Sequence, residues 1–359
     1  ESFEGLEAWR ILTDPAYRPV FLTGNFGVPP LNAYANAGMF ALFQLFGGEA
    51  GPTAMRVTAA VFGVLGVLAV FVLGRELRRL EPSLSPALPY LAASALAILR
   101  WHVHFSRMGI EPVMVPLAWA AALALLLHSW RTGSWLSALA LGAVLAACLY
   151  TYQGAGILPL LALFTAAHLA LSDRPRLRAR VPKLLAAAGL ALLLALPLAS
   201  FFLRNPDLLW LRPSQIAISG EQAAPTGFWQ NAWATAKMFW PLGATGDLDP
   251  RRNLPGAPAL SLWLAAPFWI GLGMALWRVR RPAYSLLVVG LAGLVLPGVI
   301  SEYAPHFHRI LGAAAPAALL AALPLAWLWS KAAIRPLSSL LIALPMVALL
   351  TAAAVASAR

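Results

Sequence analysis

The chain has 359 residues, of which 60% are hydrophobic and only 11% charged, whereas about a quarter of the residues of a soluble globular domain are charged. That balance excludes water as the main solvent, and the single cysteine, Cys148, excludes an intrachain disulfide. The formal net charge of +12 would suit a nucleic acid only if the basic residues were gathered on one soluble face; here they are scattered between apolar runs, so no nucleic-acid partner is expected.

The sequence opens at Glu1 with no charged-then-apolar leader, which reads as a start inside a longer frame with a first span upstream. Residues 1–52 form an outer segment with juxtamembrane helices. Within it, 31–47 is apolar enough to span. Its helical wheel, however, puts Asn32, Asn36 and Gln44 on one side and Leu31, Ala35, Leu42, Leu45 and Phe46 on the other, the pattern of a helix lying in the membrane interface. Ten spans follow from runs of roughly 20 apolar residues: 53–74, 86–99, 112–130, 134–150, 155–171, 183–202, 258–277, 284–300, 310–330 and 336–356. The expected organisation is therefore spans over 53–202, a long outer loop over 203–257 carrying Trp210, Trp229, Trp233 and Trp240, and spans over 258–359, all in one membrane domain. Tryptophan clusters of this kind suit the headgroup region.

With residue 1 outside, the inner connections hold 14 basic residues, Arg75, Arg79, Arg131 and Arg281 among them, against three acidic ones, Glu76, Glu81 and Asp173. The other 11 acidic residues fall outside, as the positive-inside bias requires. Counting 31–47 as a span would invert every later loop. No strand–helix alternation, GxGxxG or Walker loop appears, so ATP-driven transport is disfavoured.

Ionisable residues near apolar helix ends are costly unless they serve a polar cavity, and four clusters share the outer side. They are Glu1 to Glu7; the run RWHVHFSRMGIEP with Arg100, His102, His104, Arg107 and Glu111; YTYQ with Tyr150 and Tyr152; and SEYAPHFHR with Glu302, Tyr303, His306, His308 and Arg309. The long loop adds Lys237, Asp247 and Asp249. Each has a plainer reading. His102 and His104 point about 200° apart on a helix, so a metal pair is not expected. Asp247-Leu-Asp249, followed by Pro250, reads as a turn. Arg107 and Arg309 could serve as snorkelling anchors, Glu111-Pro112 as a helix start, and Tyr150, Tyr152 and Trp101 as interface aromatics.

The order and spacing of these clusters resemble the bacterial branch of glycosyltransferase family 39, relatives of the protein O-mannosyltransferases and of the lipid A aminoarabinose transferase. The residues that carry the resemblance are ESFEGLEA, GNFGVPPLNAY, AMRVTAAVFGVLGVLAVFVLGREL, HFSRMGIEP, YTYQGAGILP, GDLDPRRNLPG and PHFHRILGAAAP, nearly the whole chain. The resemblance implies an all-α polytopic membrane protein of the GT-C fold. It also implies transfer of a sugar, with inversion, from a polyprenyl-phosphate sugar to an unspecified acceptor on the outer face of the bacterial inner membrane. Membrane lipids are the surroundings, and no metal or other cofactor is expected.

The family's acidic pair, Asp then Glu, matches from Glu1 onward, which places the Asp that the family is taken to use as its catalytic base one residue upstream. Glu1 is thus expected at the site, with Glu111 as the second acidic residue. A carboxylate takes the acceptor proton, and Arg or Lys gathers the departing phosphate. Arg107, Arg309, Lys237 and Arg56 are the expected phosphate ligands, with His306 and Tyr152 as further substrate contacts. The aminoarabinose branch has a basic residue after its acidic pair and a Lys before its Pro-Pro, where this chain has Phe3 and Val28, so phosphate contacts must come from elsewhere. The alternative reading is a carrier or flippase of a lipid-linked sugar, which needs the arginines but no base.

Overall fold

The structure is a computed structural model and describes residues 1–25, 27–217, 227–332 and 351. Among the described residues it is all-helical apart from isolated bridges. In chain order, α1 (Ser2–Thr13) and α2 (Leu31–Leu45) precede α3 (Pro52–Leu80), α4 (Leu88–Ile98) and α5 (Arg100–Phe105). Then come α6 (Met114–Thr132), α7 (Trp135–Thr151), α8 (Leu158–Ser172), α9 (Arg174–Arg204), α10 (Pro206–Ile216) and α11 (Phe228–Lys237). The chain continues through α12 (Leu262–Trp277), α13 (Pro282–Val299) and α14 (Ala314–Ala332). Proline sits in the first turn of α3, α4, α8, α9 and α13, where its missing N–H has no partner to lose. Gly133, at φ 76°, ends α6 and turns the chain into α7, a left-handed conformation that glycine adopts without a steric penalty.

Among the described residues, six helical stretches are long and apolar enough to cross a bilayer: Pro52–Leu80, Glu111–Thr132, Gln153–Ser172, Arg174–Arg204, Pro282–Val299 and Leu311–Lys331. Three more, Leu88–Ile98, Trp135–Thr151 and Leu262–Trp277, are apolar but shorter. The chain is a multi-pass membrane protein. Apart from Thr351, the expected span at 336–356 lies outside the described residues. Over 86–99 the single expected span is replaced by a short α4, an extended Leu99 (ψ 110°) and then α5. This break lets Trp101 Nε1 donate to the Phe307 carbonyl (3.2 Å) and Arg100 Nη2 to the Pro258 carbonyl (2.8 Å).

The molecule has two ends. On α3, Arg56 and Glu76 are twenty residues apart, about 30 Å at the helical rise, the thickness of a hydrocarbon core. Arg56 pairs with Glu1 of α1 (3.3 Å), while Glu76 binds Arg131 (3.1 Å) and His128 (3.2 Å) at the far end of α6. Glu111, which opens the Glu111–Thr132 stretch, therefore lies near Glu1, and Arg131 lies one bilayer away. Arg281–Glu81 (3.0 Å) and the bond from Arg180 Nε to the Trp130 carbonyl (2.7 Å) belong to that second end.

At the centre, 89% of the most apolar stretch of α14 and 78% of that of Glu111–Thr132 are buried in protein, against 11% for α9, which faces outward. The approach of α12 to α14 is so close that a Cβ on Gly271 would stand 1.8 Å from the Leu320 carbonyl oxygen, the small-residue packing on which membrane helices rely. Helix α2 lies as an amphipathic element, with its faces used in a particular way. Asn32 and Asn36 are buried inward against α1 and α3 together with Ala33, Ala37 and Phe40, while Leu42, Gln44, Leu45 and Phe46 are exposed, so the inward face mixes two asparagines with apolar residues and Gln44 does not share it.

Candidate active site

Three of the central spans begin at the first end with a single 3-10 turn: Glu111–Val113 before α6, Gln153–Ile157 before α8 and Leu311–Ala313 before α14. Each follows one of the polar clusters, because an apolar span must start where its polar flank leaves the hydrocarbon. The flanks thus converge, and three helix N-termini, the positive ends of their dipoles, lie together.

Between them lies a cavity of about 730 Å³ lined by Glu1, Glu4, Glu111, Tyr152 and Gln153, by Arg251 and Arg252 of the long loop, and by Glu302, Tyr303, His306, His308 and Arg309. Phe3 and Val28 line it as well. The tight turn that presents Val28 closes through reciprocal bonds between Leu22 and Val28 (3.0 and 2.9 Å), with Gly27 at φ 88°. Gln153 Nε2 donates to the Gly27 carbonyl (3.3 Å).

The acidic side is built on α1 and the turn before α6. Glu4 and Glu111 are 6% and 9% exposed, and their carboxyls are hydrogen-bonded to each other, which requires one proton between them. Burial, and then the charge and hydrogen bond of Glu111, hold Glu4 well above the usual carboxylate range. Asn32 Nδ2 donates to Glu4 Oε2. For Glu1, partial burial raises the pKa, but the hydrogen bonds from Arg56 and the Gly109 N–H (2.9 Å) outweigh it and leave the group below its ordinary value.

The basic side is a clasp between the long loop and the 301–309 turn. Buried Asp247 accepts from the Phe307 N–H (2.9 Å) and pairs with Arg252 Nε (3.1 Å). Arg252 also reaches Asp249 (3.0 Å) and lies over the Tyr303 ring (5.1 Å). Its Nη1 stands 2.8 Å from His306 Nε2, and since a guanidinium can only donate, that ring nitrogen accepts. Burial, then Arg309 and Arg252, push the pKa of His306 far down and keep it neutral. The hydrogen bond from Arg251 lowers Asp249 to about 2. Arg309 is 9% exposed and donates through Nη2 to Glu302 (2.9 Å), while its buried Nη1 has no partner. His308 stacks on Phe105 (5.9 Å, 15°) and leans on Tyr152 (5.6 Å).

Five of the residues expected from sequence, Glu1, Glu111, Tyr152, His306 and Arg309, therefore line one cavity. Arg56 sits behind Glu1. Lys237 lines a neighbouring cavity of about 570 Å³ that shares Arg252 and Tyr303 as its wall. Arg107 is exposed and lines neither. His102 is buried, and burial pushes its pKa down to about 4, whereas His104 Nε2 lies 3.2 Å from the Arg251 carbonyl oxygen. Among the described residues, no group of three or more His, Cys, Asp or Glu is placed to hold a metal ion. Sequence reasoning misses Glu4, Arg251 and Arg252. The only sequence signal for Glu4 is its i, i+3 spacing from Glu1, and the arginines stand in a turn whose distance from the site cannot be read along the chain.

Residues 27–201, just under half the chain, match the family model of dolichyl-phosphate-mannose-protein mannosyltransferases. Among solved structures, the chain is similar to the archaeal oligosaccharyltransferase AglB from Archaeoglobus fulgidus in complex with an inhibitory peptide and a dolichol-phosphate. That match has a TM-score of 0.60 and 15% identity, over 99% of this chain and 51% of that one. The chain is also similar to ArnT from Cupriavidus metallidurans in the apo state, with a TM-score of 0.58 and 17% identity over 90% and 54% of the two chains. The fold is that of the GT-C glycosyltransferases. The chain spans about half the length of these GT-C structures. A search of curated protein sequences returns no significant match. The GT-C likeness concerns the path of the helices, and the cavity described above lies at the end where that path gathers its polar turns.

Proposed function

We infer that the protein transfers a sugar from a polyprenyl-phosphate donor to an acceptor hydroxyl, with inversion at C1, on the outer face of a bacterial plasma membrane. The observation that carries this reading is the sharing of one cavity by a carboxyl pair, Glu4 and Glu111, and by Arg251, Arg252 and Arg309. Charge asymmetry between the two ends supports the outer placement. With the shared proton on Glu4, Glu111 is the carboxylate that accepts the acceptor's proton as the acceptor oxygen bonds to C1. The bond from C1 to the phosphate oxygen breaks on the opposite face, and the electron pair leaves with the phosphate. Arg309, with a buried N–H unused, and the long-loop arginines stabilise the charge that gathers there. Phe3 and Val28, which stand where the aminoarabinose branch has basic residues, line the cavity as apolar groups, so the cations come from the 251–252 turn and the 301–309 turn instead.

The test is reconstitution in liposomes with labelled polyprenyl-phosphate sugars and a membrane extract as acceptor, following release of polyprenyl phosphate. Release that disappears in Glu111→Gln supports the transferase. Movement of label across the bilayer with the donor intact would replace the transferase by a carrier.

A further inference from the structure

At the end opposite the cavity, the structure carries a second polar cluster that the transfer reaction does not use. Glu76 is 3% exposed and is bound by Arg79, Arg131 and His128, whose side chains remain 41%, 36% and 38% exposed. Two permanent cations and one histidine surround a single carboxylate, so the cluster keeps an excess of positive charge. The carboxylate is satisfied, whereas the cations still face outward.

From this cluster a groove of about 430 Å³ runs between α3 and α6, lined by Ala69, Val72, Ala121, Ala124 and Leu125, with Glu76, His128 and Ser137 at its polar mouth. Ala69 to Glu76 and Ala121 to His128 each cover seven residues, so both walls descend about 10 Å into the hydrocarbon. The groove is open because alanines stand where larger side chains would fill it. Its outer face is lipid-exposed, with Val72 46% exposed.

We propose that this groove is a binding site for an anionic glycerophospholipid, with the phosphate on Arg79, Arg131 and His128 and the upper part of one acyl chain along Ala69, Ala121 and Ala124. The charge decides the headgroup: a zwitterionic lipid brings its own cation to a cluster that already has one too many, whereas an anionic lipid neutralises it. The position decides the leaflet, because the cluster lies one hydrocarbon thickness from the cavity, on the side where the basic residues concentrate. Such a lipid would pin the ends of α3 and α6 together and fix the depth at which the opposite cavity meets the membrane. The site is independent of the transfer reaction.

The experiment is native mass spectrometry of the full chain released from nanodiscs of equal phosphatidylglycerol and phosphatidylcholine, counting retained lipid. The wild type is expected to retain one phosphatidylglycerol in preference to phosphatidylcholine. Arg79→Gln should lower that preference about fivefold, the worth of one basic contact to an anionic surface. Ala121→Leu, which fills the groove and leaves every charge in place, should lower retention as well. Arg178→Gln, which removes an exposed positive charge on α9, should leave it unchanged. Equal retention of the two lipids, an equal fall in Arg178→Gln, or full retention in Ala121→Leu would each overturn the site. So would a dimer that persists without phosphatidylglycerol and disperses in Ala121→Leu, since the groove would then hold a second copy.

Discussion

The same two helices, α3 and the stretch that begins at Glu111, carry a buried carboxyl at each end of the bilayer, and the two ends treat it in opposite ways. At the basic end Glu76 is ringed by Arg79, His128 and Arg131, so its charge is answered within the protein. At the cavity end Glu111 faces another carboxyl, Glu4, with His308 also near it, and the cation beside the cavity, Arg309, keeps a buried N–H without a partner. A satisfied network holds helices in place, whereas an incompletely satisfied one in a cavity is poised for a ligand that brings the missing charge. The difference separates an end whose buried charge is met within the protein from one that leaves a buried N–H open to a ligand.

The largest effect should come from removing the accepting carboxylate. Glu111→Gln is expected to lower the rate of polyprenyl phosphate release by about 10²–10⁴, the usual contribution of a positioned base, with the donor still bound in an equilibrium binding assay. Arg309→Gln comes next. Loss of charge-assisted contacts to the phosphate, each worth about 1.5–3 kcal/mol, should raise the donor KM roughly tenfold or more. An unchanged KM would remove Arg309 from the phosphate site.

On the opposite end, Glu76→Gln should act on stability alone. Its cations are more than a third exposed, so screening limits the loss to about 1–2 kcal/mol, read as a lower melting temperature with KM unaffected. A changed KM would mean that the two ends are not separable. The smallest effect concerns pH. Because Glu4 is raised above its unfolded value, its contribution to stability is complete below the ordinary carboxylate pKa and is lost as pH rises through the raised one. Glu4→Gln keeps the neutral form at every pH, so its melting temperature should decline less toward alkaline pH than that of the wild type. Parallel pH curves would show that the pair holds no shared proton.

The candidate site was partly legible along the chain. Glu1, Glu111, Tyr152, His306 and Arg309 were accessible because each stands at the polar flank of an apolar run, where the membrane forces helices to begin or end. Lys237 and Arg107 carry the same signal yet stand at a neighbouring cavity and on the exposed surface. A flank position says how deep a residue lies and nothing of which way it faces. Glu4 has the opposite history: it reads as one acidic residue of an outer helix, and only the packing of α1 against α2 and the turn before α6 makes it a buried, proton-holding group.

Hydropathy by itself determined that the chain is helical and crosses the membrane many times, because every backbone polar group in hydrocarbon must be satisfied within its own helix. Charge bias sorted its turns into two sides for a similar reason, the energy of moving cations across a bilayer. Hydropathy did not separate α14 from α9, which are both strongly apolar, yet their most apolar stretches are 89% and 11% buried in protein. Lipid and protein are equally apolar partners, so the sequence carries little to choose between them. Tertiary structure made that choice through close contacts such as Gly271 on Leu320. The same packing set Arg252 between Asp247, Asp249 and His306, bringing residues 54 positions apart in sequence to one wall of the cavity.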